Sequence, residues 1–345
     1  MKFQVPPQDQ EAGERARAYI DTLTKPVGSL GELEKLAVDL AEMTGQLATE
    51  ISPPGIIVFA ADHGVAKEGV SAYPQEVTAQ MVENMVNGGA AISVFGRQIG
   101  ARFKVVDVGV AADISNPKVI HKKVRRGTAN FLKEEAMSAQ EAEKAVMTGY
   151  EEACQFIENG VKCLIVGEVG IGNTTASSAI TACLTDSDPA AVVGYGTGLS
   201  EEKYKRKIEV IRQVLEDRKA NPGDAIDVLV KLGGLEIAAM AGAMMAAAER
   251  RIPVLLDGFI CTAAACIAHL LHPRSTDYMI LSHYSAEPGH KKAMDYLDKT
   301  PILQLNLRLG EGTGAAVAFP ILESAVRMVT EMATFESAKV ASSRQ

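Results

Sequence analysis

The densest run of residues able to do chemistry is Gly167-Glu168-Val169-Gly170-Ile171-Gly172-Asn173-Thr174-Thr175. A β-branched run precedes it and a small-residue stretch, 176–182, follows, so it reads as a strand-to-helix turn. Gly170 and Gly172 let the backbone approach a ligand closely. N–H groups at a helix start favour an anion such as phosphate, and Thr174 and Thr175 add hydroxyl donors. The Gly-Lys-Ser/Thr of a Walker loop is absent, and the GxGxxG dinucleotide fingerprint is not matched, so a mononucleotide phosphate fits better. The plainer alternative is a tight turn with a threonine N-cap. Gly194-Tyr195-Gly196-Thr197-Gly198 is a second glycine loop, followed by Lys203, Lys205, Arg206 and Lys207. One of these cations could reach back to the same anion, while most suit an exposed helix face. In Leu309-Gly310-Glu311-Gly312-Thr313-Gly314 a carboxylate is flanked by glycines. Partial desolvation would raise it toward a useful general base; a capping glutamate is the alternative.

Other residues suggest further chemistry. Asp62, His63, Asp257, His283 and His290 lie after three β-branched runs and could serve a metal-dependent hydrolase, although HxH, HExxH and HxxxD pairs are absent. Tyr73 and Gln80 are seven residues apart and share a face if the helix has begun by then, offering a ring and an amide to a flat heterocycle. Arg125-Arg126-Gly127 is a basic turn that could meet an anion or simply form a surface loop.

Elements must hold these groups together. Short apolar runs at 56–60, 103–108, 163–166, 253–256 and 278–281 each end in Gly, Asp, Glu or His. Helical spacing at 74–99, 138–159, 199–218 and 235–250 alternates with them, which predicts an α/β fold with a parallel sheet. Ligands bind such sheets outside the carboxyl ends of the strands, where these polar residues fall. Residues 1–50 read as two helices split at 24–29, with Ser29 and Glu32 as a capping box. A last helix from about 321 to 345 would join them in a small helical domain, leaving 51–320 as the large α/β domain.

Composition narrows the function classes. Of 345 residues 47% are hydrophobic, which excludes a disordered chain, while 5% aromatics, no Trp and a net charge of −8 argue against a nucleic-acid reader. Five cysteines without a CxxC read as reduced buried thiols in a cytoplasmic protein. No signal peptide is expected at the N-terminus, and the longest apolar stretches, 237–248 and 259–271, are too short to span a membrane. The first of these, around Gly242, is a close-packed helix either in the core or at a dimer interface.

Taken together the clusters resemble one family, the nicotinate-nucleotide–dimethylbenzimidazole phosphoribosyltransferases. The carrying stretches are LTKPVGSLGELEKLA (23–37), AADHGV (60–65), GVSAYPQEVTAQMV (69–82), NGGAAI (87–92), RRGTANF (125–131), GEVGIGNTT (167–175), GYGTG (194–198), LGGLEIAAMAGAM (232–244), PVLLDGFI (253–260), SHYSAEPGH (282–290) and LRLGEGTGAA (307–316). The resemblance implies transfer of the 5-phosphoribosyl group of nicotinate mononucleotide to 5,6-dimethylbenzimidazole, giving nicotinate and α-ribazole 5′-phosphate. It implies Glu311 as general base and Glu168 as a second catalytic carboxylate. Gly170, Gly172, Asn173, Gly196, Lys207 and Ser285, with Thr174 beside them, would surround the phosphoribosyl group. Ser71, Tyr73, Gln80, Val169 and Leu309 would face the benzimidazole. The family fold is a Rossmann-like sheet domain with a small helical domain, and the assembly a homodimer. No cofactor or metal is expected, because the cationic pyridinium leaves as a neutral ring. Oxocarbenium character at C1′ would be stabilised by a carboxylate, for which Glu168 is the candidate. A metal-dependent hydrolase and a non-catalytic nucleotide-binding relative are the competing readings.

Overall fold

The structure, a computed structural model, describes residues 1–195 and 198–341. The β-branched runs form strands β1 (Pro54–Ala61), β2 (Arg102–Gly109), β3 (Val119–His121), β4 (Cys163–Val169), β5 (Val254–Leu256) and β6 (Met279–Leu281). All neighbours pair in parallel, in the order β3-β2-β1-β4-β5-β6. The central strand β1 is buried along its whole length, so its apolar residues run on instead of alternating. The chain moves outward from β1 through β2 to β3, then returns to place β4 on the other side of β1. At such a reversal the loops after adjacent strands part, and a crevice opens outside the carboxyl ends.

The helices are α1 (Gln10–Ile20), α2 (Glu32–Thr44), α3 (Glu76–Val86), α4 (Ala91–Gln98), α5 (Ala139–Glu158), α6 (Asn173–Thr185), α7 (Pro189–Val192), α8 (Glu201–Arg218), α9 (Ala225–Leu232), α10 (Leu235–Glu249), α11 (Phe259–Leu271), α12 (Pro288–Leu297), α13 (Thr313–Glu331) and α14 (Phe335–Ala338). Helix α10 lies on β1, β2 and β4 and is itself covered by α5. Being sandwiched, it is buried from Leu235 to Ala248 and apolar on every side except at Glu236. A methyl group on Gly149 of α5 would run into the Ala239 carbonyl, and one on Gly242 of α10 into that of Val146. The two helices therefore cross backbone to backbone, and Gly242 serves this internal crossing. Helices α4 and α13 cover the opposite face of the sheet.

Helices α1 and α2 pack on each other and on α13. The chain ends are also joined through backbone, with Thr24 N–H to Ala333 O at 3.0 Å and Phe335 N–H to Thr22 O at 3.0 Å. Helix α13 runs without a break from Thr313 to Glu331, so the helix expected from about 321 begins before that residue and ends well short of 345. The short α14 follows it, and residues 342–345 lie outside the described residues.

Local details differ from the sequence expectation. The 74–99 segment is two helices, because Asn87-Gly88-Gly89 interrupts it with Gly88 at φ +85°. Helix α2 starts behind Gly31, not at Ser29: the Glu34 carboxylate accepts the Leu30 N–H at 2.9 Å while pairing with Lys25 at 2.8 Å. Strand β3, three residues at the sheet edge, is too short to read from the sequence. The capping box that opens α5, Ser138 with Glu141, falls where the 138–159 segment begins. Among the described residues no helix is long and apolar enough to cross a membrane. The five cysteines are free thiols, four of them buried.

Candidate active site

The loops after β4, β5 and β6, the 306–311 segment and α3 enclose a cleft of about 690 Å³. Two carboxylates sit at its floor. Glu168 is the penultimate residue of β4 and is 5% exposed. Its Oε1 accepts the backbone N–H of Glu311 at 3.3 Å, and its Oε2 accepts the Asn173 amide at the start of α6. Burial pushes this carboxyl up to about 8; the charges of Glu236, Asp257 and Glu311 add to the shift, and the Glu311 N–H opposes it.

The second carboxylate is delivered by an unusual turn. Gly310, Glu311 and Gly312 are all left-handed, at φ +90°, +65° and +95°. Such a conformation in a glutamate costs roughly 1–3 kcal/mol and must be held from outside. Asp257, at the end of β5, does this. Its Oδ2 accepts the N–H of Gly312 at 3.1 Å, and its Oδ1 those of Gly314 at 2.8 Å and Ala315 at 3.1 Å. One carboxylate from a neighbouring strand thus caps α13 and anchors the turn. Gly167 and Gly310 close the arrangement: a methyl on Gly167 would strike the Glu311 carbonyl, and one on Gly310 the Glu168 carboxylate. Glu311 is left 6% exposed, with Oε2 at 3.4 Å from the Ile92 N–H at the start of α4. Burial raises its carboxyl above the ordinary value, Asp257 adds to this, and the Ile92 N–H opposes it.

One end of the cleft suits an anion. Lys207 of α8 is fully buried, and its Nζ donates to Thr174 Oγ1 at 3.0 Å. Burial lowers its ammonium to about 8, with Glu287 opposing. Thr174, Gly170, Asn173, Ser285 and the Glu287 carboxylate line the cleft; Lys207 itself is not in the lining and reaches it through Thr174. The Ser285 N–H donates to His290 Nδ1 at 2.8 Å, and burial drives that imidazole down to about 3, so it accepts as a neutral ring. Gly172, the left-handed residue capping α6, sets the turn from behind rather than lining the cleft. Gly196 lies outside the described residues.

The other end is apolar. Val77 and Met81 of α3, Val169, Leu307 and Leu309 line it, with Tyr73 half-exposed at the mouth, while Phe259, next to Gly289 and Val192, lines the cleft on the Ser285 side. Two residues expected here are not in the lining. The Ser71 hydroxyl accepts the Tyr73 N–H at 3.2 Å, and its carbonyl accepts Lys203 Nζ at 3.0 Å. Gln80 is exposed. Helix α3 begins only at Glu76, so Tyr73 precedes it and shares no helical face with Gln80. Gln80 stands one residue, roughly 100° of helix, before Met81, off the stripe that faces the cleft.

The residues that suggested a metal are each held by hydrogen bonds to other groups, although His283 Nδ1 also lies 3.9 Å from Asp257 Oδ1. His63 Nε2 meets Glu236 Oε1 at 2.6 Å, Asp62 Oδ2 accepts the Ala111 N–H at 2.8 Å, and His283 Nδ1 meets Ser282 Oγ at 2.9 Å. His290 Nε2 meets Thr262 Oγ1 at 3.0 Å, and Asp257 is occupied by the turn it anchors. No group of three or more His, Cys, Asp or Glu side chains among the described residues is arranged to hold a metal ion. Arg125 and Arg126 pair with Glu141 and Asp113 and do not line the cleft.

A family profile described as phosphoribosyltransferase matches residues 5–340. The chain belongs to this family. It is 49% identical over 338 residues to the nicotinate-nucleotide–dimethylbenzimidazole phosphoribosyltransferase of Chloroflexus aurantiacus, covering 98% of this chain and 96% of that one. It is 50% identical over 332 residues to the same-named protein of Halalkalibacterium halodurans, covering 96% and 93%. The crystal structure of the nicotinate-nucleotide–dimethylbenzimidazole phosphoribosyltransferase from Thermus thermophilus superposes with a TM-score of 0.91 at 43% identity, over 97% of this chain and 99% of that one.

Family membership rests on the whole chain, and the cleft adds residues that spacing does not mark. Asp257 stands out in the sequence, but for a metal and not as the anchor of the Glu311 turn. Glu236 does not, although the one carboxylate within the buried Leu235–Ala248 run is itself a signal of a buried partner. Phe259, Ile260 and Leu307 carry no local mark that separates them from core residues.

Proposed function

We propose that this protein transfers the 5-phosphoribosyl group of nicotinate mononucleotide to 5,6-dimethylbenzimidazole. The observation that carries the reading is the carboxylate pair. Glu168 and Glu311 are joined through the Glu311 N–H at 3.3 Å, between an anion-suited end and an apolar end of one cleft. Lys207, Thr174 and the start of α6 receive the phosphate, with Gly170, Asn173 and Ser285 around the ribose. The benzimidazole lies among Val169, Leu309, Val77 and Met81, below Tyr73.

Glu311, raised by burial, takes the proton from one ring nitrogen as the other attacks C1′. The bond from C1′ to the pyridinium nitrogen breaks, and its electron pair neutralises the departing nicotinate. Positive charge that builds on the ribose faces the Glu168 carboxyl. Burial holds that carboxyl protonated to about 8, so it stabilises the charge fully only when ionised, above that pH. A single in-line displacement turns the β-nucleotide into the α-product, without a covalent intermediate. The named activity of close relatives supports this assignment of substrates. We read the protein as a cytoplasmic homodimer, with residues 1–50 and roughly 321–345 as a small helical domain and 51–320 as the large one.

The test is incubation with nicotinate mononucleotide and competing bases, followed by mass spectrometry of the ribotides. Nicotinate release should require an added benzimidazole. Glu311→Gln should lower kcat by ~10²–10⁴-fold, and near-wild-type turnover in that variant would remove Glu311 as the base.

A further inference from the structure

Beneath the glycine turn lies a polar pair that the proposed reaction does not use. His63, just beyond β1, and Glu236, in the first turn of α10, are both 0% exposed, with Nε2 and Oε1 2.6 Å apart. Both lie directly against the turn. A methyl placed on Gly172 would lie 3.0 Å from His63 Cβ, and one on Gly170 would lie 3.5 Å from Glu236 Oε1. A methyl on Gly234 would lie 2.8 Å from Glu236 Oε2, so the helix start is closed around the same pair. The turn then hands its position on: Asn173 holds Glu168 through its amide, and the Ile171 N–H is pinned by Thr78 Oγ1 at 3.1 Å. The arrangement is costly to bury. Glu236 Oε2 and His63 Nδ1 have no hydrogen-bond partner among the described residues. A buried, incompletely satisfied His–Glu pair adds little stability by itself, which makes a role in specifying geometry the better account of it.

We propose that Glu236, clamped by His63, is a positioning residue for the transfer: the pair fixes the 170–172 turn and, through Asn173, the Glu168 carboxylate. The same placement lets Glu236 act on Glu168 electrostatically. Glu168 faces three like charges, Glu236 from α10, Asp257 from the end of β5 and Glu311 from the left-handed turn. Glu236 faces His63 and Asp62 from the end of β1. This inference rests on reading Glu168 as the carboxylate that meets the ribose.

Two variants separate charge from geometry. Glu236→Gln keeps an oxygen for His63 and removes the charge. Glu236→Asp keeps the charge and withdraws it from His63. The readouts are the titration midpoint of the ¹³C-labelled Glu168 carboxyl in the free protein, assigned with Glu168→Gln, and kcat and KM for nicotinate release. In Glu236→Gln the midpoint should move to lower pH by ~0.5–1 unit. In Glu236→Asp the midpoint should stay while kcat falls ~10-fold or more with little change in KM, because a misplaced group costs turnover. A midpoint that is unmoved in Glu236→Gln, or a kcat within twofold of wild type in Glu236→Asp, overturns the proposal. The titration needs no substrate, so it judges the pair even if nicotinate mononucleotide is not the donor; absence of nicotinate release from the wild-type protein would count against the proposed reaction instead.

Discussion

Changing Asp257 to asparagine tests whether the Glu311 turn is held from the neighbouring strand. The carboxylate accepts three backbone N–H groups, one through Oδ2 and two through Oδ1. Asparagine keeps one oxygen, for Gly314 and Ala315, and turns an NH₂ toward the Gly312 N–H. One charge-assisted bond, of ~1.5–3 kcal/mol, is lost, and the other two weaken toward the ~1 kcal/mol of neutral bonds. Relief of a buried charge offsets part of this, since burial already holds the Asp257 carboxyl above its ordinary value. The net loss of stability should be about 2 kcal/mol, read by urea denaturation. The effect on turnover should be larger. The left-handed Glu311 stores roughly 1–3 kcal/mol of strain that the anchor restrains, and release of the turn by about 1 Å would lower kcat ~10²-fold. Steady-state nicotinate release should therefore fall about a hundredfold, and adding Glu311→Gln to Asp257→Asn should cost far less than it does alone. A variant that loses stability but retains wild-type kcat, or full additivity in the double variant, would refute the anchor.

Other outcomes follow from the same geometry. Glu168 keeps its proton to about 8 when folded and loses it near 4.5 when unfolded, so wild-type stability should decline as pH rises through that window. Glu168→Gln should remove this decline, its stability relative to wild type rising from pH 4.5 to 8 by a few kcal/mol in denaturation curves. Lys207 is protonated only below about 8, so KM for the nucleotide should rise above that pH, and Lys207→Met should raise it ~10-fold or more at pH 7. Gly242→Val should lower stability by ~3 kcal/mol or more, because its side chain would enter the α5 backbone; an unchanged melting temperature would contradict the crossing described for α5 and α10.

The sheet and the glycine turns were legible because both are local signals. Runs of Val, Ile and Leu mark buried parallel strands, and glycines after them mark turns, so five of the six strands were anticipated near their places. What failed was everything that depends on which strand lies beside which. Asp257 and Gly314 are bonded but stand 57 positions apart, and His63 and Glu236 are separated by 173. Each of these residues drew a local explanation, or none, because its partner is set by the β4–β5 and β1–β4 pairings. Gln80 shows the opposite error. A seven-residue interval implies a common face only inside one helix, and α3 starts three residues after Tyr73.

The left-handed triplet also has a consequence for how the cleft can diversify. Glu311 reaches its place through main-chain torsions tied to Asp257, while the apolar end is formed by side chains such as Val77, Met81 and Leu309. Resizing those side chains leaves the main chain of the turn untouched. The proton-accepting machinery and the shape that selects the acceptor are thus separable parts, and new aromatic acceptors should be reachable by exchanging wall residues on one helix and one loop while the catalytic geometry stays constant.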